Sequence, residues 1–205
     1  MGALIRTAEP AVEPVTPVEG KLHERVDHTA DDALITSLLL SARRWVESYT
    51  ARGLITQTWR WELDAFPRRS FLLVPLAPLV SVSEIRTVDE DGAEAVFAAD
   101  QYLVDKNSEP ARIVLKSGAS WPAVTLQRAA GVRITLVVGY GAAATAVPEQ
   151  IKLAIKMLMG TWYDNRESVS REDLKHVPDG TAALLGEYAA WNAYGHAQVS
   201  QEDAS

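Results

Sequence analysis

The sequence contains no cysteine. A disulfide framework, a thiolate metal site and a cysteine nucleophile are therefore excluded, and a reducing compartment is compatible with the chain. Positive charge is scarce: 20 lysines and arginines face 27 acidic residues, for a net charge of −7. Gripping nucleic acid by its phosphates needs clustered Lys and Arg. No block of like charge is long enough for a nucleic-acid arm, which argues against DNA as a gripped ligand but not as something that slides past. Long hydrophobic runs are also missing. The longest, Ile134 to Val147, is broken by Thr135, Gly139, Gly141 and Thr145 and falls short of the roughly 18 residues a membrane span needs. Met1–Pro10 has one arginine and no apolar stretch, so it does not read as a signal peptide. What is present is ordinary for a globular protein. The 205 residues are 47% hydrophobic and 23% charged, enough for a sizeable core in one domain or slightly more.

Five segments follow along the chain. Residues 1–15 carry Pro10 and Pro14 and read as an extended, poorly ordered arm. Residues 16–53 form the first part of a helical body. Thr16-Pro17-Val18-Glu19 is a capping box with proline at the first helical position, predicting a short helix to about Val26. Thr29 is placed to cap the next helix, with Asp31 and Asp32 at the positive end of its dipole. Leu34, Leu38, Ala42, Trp45 and Tyr49 supply its stripe, and Gly53 its stop.

From residue 54 to 147 the period changes to two. Gln57, Trp59, Trp61 and Leu63 alternate with Thr58, Arg60 and Glu62. Phe71–Val74 is a short apolar run ended by Pro75 and Pro78, and Val80–Val88 reads as a strand with a phase slip near Glu84. Asp91-Gly92 marks a hairpin into Ala93–Phe97. Tyr102–Asp105 pairs with Arg112–Leu115, and Val132–Val138 alternates throughout. The segment reads as a small antiparallel β domain, barrel or sandwich, inserted into the helical body. Residues 148–194 return to helix, first with Ile151, Ile155, Leu158 and Trp162 on one stripe, then with Leu184, Tyr188 and Trp191. A polar loop, 165–177, separates them, and a tail, 195–205, carries no core positions. The fold class is thus α+β, with about four helices. Residues 148–205 hold five basic and nine acidic groups, so most of the negative excess sits at the C-terminal end.

Catalytic, cofactor-binding and metal residues are not assigned. His23 and His28 are five apart across a helix break, the wrong spacing for a helical zinc site. Gly139-Tyr140-Gly141 follows a strand, but Ala144 stands where a dinucleotide loop needs its third glycine. Asp89-Glu90-Asp91-Gly92 lacks the distal ligands of a calcium loop, and Ser120 has no nucleophile elbow around it. Asp164, Arg166 and Glu167 follow Trp162-Tyr163. They read either as a helix end with Arg166 near the last carbonyls, or as a subunit contact in which the arginine forks onto a carboxylate. Trp191 and Tyr194 are either core or anchors for a partner.

Leu22-His23-Glu24-Arg25-Val26-Asp27, then Asp31-Asp32-Ala33-Leu34-Ile35, resemble the opening of the head–tail connector (adaptor) family of tailed phages, its gp6-like group. Leu54 to Trp59, Pro75 to Val82, Val88 to Gly92, Tyr102 to Asp105 and Trp121-Pro122 are similar to the β insertion of its longer members. Val147 to Lys152, Thr161 to Glu167 and Ala183 to Tyr188 resemble its later helices. The resemblance spans about Val15 to Tyr194. It implies a structural protein rather than an enzyme, needing no cofactor and no membrane. Such a protein forms a ring, typically of twelve subunits, between the portal and a stopper or tail component of a phage or gene-transfer-agent particle. The ring is assembled in the bacterial cytoplasm and leaves a channel for DNA. It further implies that the last helix and tail, with Trp191, Tyr194, His196, Gln198 and Val199, reach the portal. Two other classes stay open. A regulatory module that captures a host protein would need a large exposed apolar patch. A small carboxylate-dependent hydrolase or nucleotide-binding enzyme would have to work without any of the motifs above.

Overall fold

A computed structural model describes residues 2–165 and 180–189. Helix α1, Pro17–Glu24, begins at the capping box. The Thr16 hydroxyl accepts from the Glu19 amide at 3.2 Å, and the Glu19 carboxylate accepts from the Thr16 amide at 2.7 Å. The helix ends before Val26 because Arg25 turns left-handed at φ 57°. Gly20 faces inward. A Cβ there would meet Leu39 and Met159 at 3.2 Å, so hydrogen alone lets α1 lie this close to the neighbouring helices.

Helix α2, Asp32–Thr50, departs from the expected reading in three ways. Thr29 does not cap it: only the Thr29 carbonyl takes part, accepting from Asp32, and Asp31 occupies the cap position. The buried stripe is Ile35, Leu39, Ala42, Arg43, Val46, Glu47 and Thr50. The expected stripe lies one residue off it, with Leu38 and Trp45 half-buried and Tyr49 exposed. Ala42 alone belongs to both. Nor does Gly53 stop the helix. Ala51 does, in the left-handed region at φ 52°, while the Gly53 amide bonds the Ala77 carbonyl at 2.9 Å.

The strands are β1 (Ala3–Ala8), β2 (Gln57–Leu63), β3 (Phe71–Leu73), β4 (Leu79–Val88), β5 (Glu94–Val96), β6 (Tyr102–Asp105), β7 (Arg112–Leu115) and β8 (Val132–Val138). They form two antiparallel sheets, β1-β2-β8-β4-β5 and β3-β7-β6. The segment read as a loose arm is therefore extended but paired: Ala3 to Arg6 lie opposite Glu62 to Trp59. The slip near Glu84 is a register shift between Val82 and Glu84. The hairpin at Asp91-Gly92 forms as predicted. Its turn is held by the Asp89 carboxylate, which accepts from the Asp91 and Ala93 amides.

Two cores result. Between the sheets, Trp61, Ile85, Ile134, Leu136 and Val138 of the large sheet pack with Leu72, Tyr102 and Ile113 of the small one. Phe66 and Trp121 stack at 4.7 Å at its margin. Packed sheets with alternating inward residues are the sandwich solution. The second core joins α2, helix α3 (Glu149–Asp164) and a fourth helix, α4, described over residues 180–189. Ile35, Leu39, Val46, Ile151, Ile155, Leu158 and Leu185 are fully buried there, with Leu54 and Ile55. The chain is thus α+β: a helical part and a β domain.

Candidate functional site

Polar groups are organised in three places. The first is a joint between α2, the N-terminal segment and β2. Arg43, only 1% exposed, donates to Glu47 at 2.8 Å, to Glu13 at 2.8 Å and to Glu9 at 3.3 Å. Glu47 also accepts from Arg6 at 2.7 Å, from the Gln57 amide group at 2.6 Å and from the Leu54 N–H at 3.1 Å. Burying these charges is tolerable because each finds partners. At Glu9 burial acts upward, but the hydrogen bond from Arg6 and the positive charges of Arg6, Arg43 and Arg44 outweigh it and hold the carboxyl below its ordinary pKa. At Glu13 burial wins and the pKa is raised, in spite of Arg43. Arg6 also lies over the Trp59 ring, 4.7 Å from its centroid.

The second is a joint between the two cores. Arg52 follows α2, where a cation meets the negative end of the helix dipole. Its Nε donates to the Tyr188 carbonyl of α4 at 3.2 Å, and Nη1 donates to the Tyr140 hydroxyl at 3.3 Å. Nη2 donates to the Glu109 carboxylate of the β6–β7 connection. The guanidinium also lies 5.6 Å from the Tyr188 ring centroid. Gly139-Tyr140-Gly141, which leaves β8, bonds Pro78, Leu54 and Thr56, so this turn is part of the same joint.

The third is the outer face of the large sheet. Arg60, Glu62, Glu84, Arg86, Glu94 and Arg133 form a ladder of alternating charge around an open depression of about 260 Å³. The glutamates match the arginines three to three. On the small sheet, hydrogen bonds from Arg112 and Ser108 lower the Asp105 pKa to about 2.

Of the residues singled out from sequence, Asp164 closes α3 and is exposed. Arg166, Glu167, Trp191, Tyr194, His196, Gln198 and Val199 lie outside the described residues. The nearby Asn165 side chain donates to the Thr161 carbonyl at 2.8 Å, which completes the helix end. His23 lies beside the Glu24 carboxylate at 3.8 Å and His28 beside that of Asp31 at 3.9 Å. Among the described residues no group of three metal-ligating side chains occurs, and no helix is long and apolar enough to cross a membrane. Sequence reasoning missed Arg43, Glu47 and Arg52. The four-residue spacing of Arg43 and Glu47 was a visible signal of a helical ion pair, but its burial was not.

These features are those of an α+β protein with a helical part and a β sandwich, whose buried ionic groups join its segments. No family model and no curated protein matches the chain. Chains of solved structures do, among them the following three. A chain in "Neck of empty GTA particle computed with C6 symmetry" is 26% identical, with a TM-score of 0.76, over 91% of this chain and 94% of that one. A chain in "Virion of native gene transfer agent (GTA) particle" is 25% identical, with a TM-score of 0.75, over 90% and 94%. A chain in "Neck of native GTA particle computed with C12 symmetry" is 26% identical, with a TM-score of 0.67, over 89% and 94%.

Proposed function

We propose that this chain is a structural component of the neck of a gene-transfer-agent or tailed-phage particle, an adaptor subunit in a ring between the portal and a stopper or tail component. One observation carries the reading. A chain from a particle neck shares the fold across 91% of this chain and 94% of its own length, so helical part and β domain match together. Necks computed with six- and twelvefold symmetry support a ring, and twelve subunits is the copy number proposed. Ring closure needs heterologous contacts, in which two different patches of each subunit meet. Asp164, Arg166 and Glu167 are proposed to serve such contacts. The last helix and tail, with Trp191, Tyr194, His196, Gln198 and Val199, are proposed to bind the portal. A tail without core positions pays its ordering cost only on a partner. The net charge of −7 repels phosphate and suits a channel that DNA passes without sticking. The sandwich then faces the next layer of the neck. The test is to mix the purified chain with the portal of the same particle and image the product. Rings seated on the portal are expected. A chain that stays monomeric and ignores the portal at high concentration overturns the reading.

A further inference from the structure

Among the described residues the large sheet ends in β1 on one side and β5 on the other. Sheet edges present unpaired backbone groups, and monomeric proteins blunt them with short strands, prolines or outward charges. Three of the four open edges among the described strands are short: β5 and β3 have three residues each and β6 has four. β1 is different. It is six residues long, has no proline, and its one charge, Arg6, is drawn onto Glu47 and Glu9. Leu4 and Ile5 remain 37% and 38% exposed along it. At the far end of the sheet, Val96 of β5 is 61% exposed.

The register links the two ends. One row crosses the sheet through Ala3, Glu62, Arg133, Arg86 and Val96. Its middle is charged but internally paired, Arg133 with Glu62 and Glu94, and Arg86 with Glu84 and Glu94. Its ends are apolar. A face of this kind has no net charge with which to select a nucleic acid or a strongly charged protein. Its two ends match each other: open backbone beside small and aliphatic side chains on both.

We infer that β1 of one subunit pairs with β5 of the next copy of this chain, so that the five-stranded sheets run on from subunit to subunit. The inference rests on the ring reading above and supplies it with a surface. The contact is head-to-tail, the type that closes into a ring rather than stopping at a dimer. Backbone hydrogen bonds give the adhesion, as in other strand additions. Val96 of one copy is covered by the Ala3–Ile5 end of its neighbour.

The absence of cysteine provides a clean test. The full-length double variant Ile5→Cys/Val96→Cys is assembled on portal rings from the same particle. It is treated with a short bismaleimide linker, which tolerates a small slip in register, and run on a denaturing gel. A ladder of dimers, trimers and higher multimers is expected from the double variant, and monomers alone from each single variant. Rings in micrographs without a ladder overturn the pairing and leave the ring reading standing. Dimers from Ile5→Cys alone overturn it in favour of β1-to-β1 contact, and a product joining Ile5→Cys to the portal overturns it in favour of a portal strand. If the unsubstituted chain forms no rings, the ring reading fails and the pairing with it. A second variant, Ile5→Lys, places a charge on the edge. It is expected to abolish rings with the thermal unfolding of the subunit unchanged; rings as abundant as those of the unsubstituted chain contradict the inference.

Discussion

Replacing Arg43 by methionine removes the central cation of the α2 joint and keeps most of its volume. Three carboxylates then lose a donor: Glu47, Glu13 and Glu9. Glu47 is the consequential one because it is itself buried. Removing one member of a buried ion pair typically costs about 3–5 kcal/mol, since the other charge is left without its partner. Here Arg6, Gln57 and the Leu54 amide still reach Glu47, which places the loss at the lower end, about 3 kcal/mol. For a chain of this size that lowers Tm by roughly 6–12 °C. Urea denaturation measures the free energy directly, with an unchanged slope showing that the unfolded state is not altered. The effect has a local signature as well. Glu9 and Glu47 anchor Arg6 on β1, so amide hydrogen exchange in Ala3–Ala8 is expected to quicken more than in β8. Glu47→Gln combined with Arg43→Met is expected to be less than additive, by 0.5 kcal/mol or more on the usual scale of coupled neighbours, about 0.5–3 kcal/mol. A loss below about 1 kcal/mol for Arg43→Met, with β1 exchange unaltered, refutes the assignment of this cluster as the joint that holds the N-terminal strand.

Four further outcomes are expected. The folded Asp105 carboxyl titrates at about 2, below its ordinary 3.8, so its stabilising contribution is complete above pH 3.8 and is lost as pH falls toward 2. Asp105→Asn is expected to flatten the acid limb of the stability–pH curve in that window, and an unchanged curve contradicts the pairing with Arg112. Gly139 stands at φ 138°, where a Cβ would lie 2.6 Å from the Thr56 nitrogen. Gly139→Ala is expected to destabilise the turn by about 1–3 kcal/mol in denaturant titration, whereas a neutral result shows that the turn can move. Deleting residues 195–205 is expected to leave the thermal transition intact and abolish portal binding in co-sedimentation; normal docking of the truncated chain removes the tail as the anchor. Arg166→Ala is expected to reduce the fraction of portals carrying rings in micrographs, and an unchanged fraction returns Arg166 to the role of a helix-end cation.

Local signals carried most of the β domain. Val132–Val138 alternates without a break, and its four inward residues are fully buried. The capping box at Thr16 and the phase slip in β4 were equally legible, because each is a pattern of near neighbours. The misreadings have non-local causes. In α2 the residues Leu34, Ile35, Leu38, Leu39 and Leu40 make either helical face apolar enough to be buried. The face that is buried also carries Arg43 and Glu47, whose partners at residues 6, 9, 13 and 57 come from other segments. β1 looked like an arm because its partner, β2, lies some fifty residues on and no turn connects them. Arg52 follows the same logic: Glu109, Tyr140 and Tyr188 converge on it from three distant stretches, and no spacing rule joins them. The net charge of −7 argues against a DNA-gripping surface, but it could not show that the large sheet's outer face balances its charges internally.

The proposed role is that of a ring-forming structural part of a particle neck. The most direct measurement is electron cryomicroscopy of particles from cells producing this chain, beside particles from cells in which it is deleted. A ring of density between portal and tail, fitted by the α+β subunit in twelve copies, is expected, and unjoined heads and tails after deletion. Joined particles with an unaltered neck in the deletion strain contradict it.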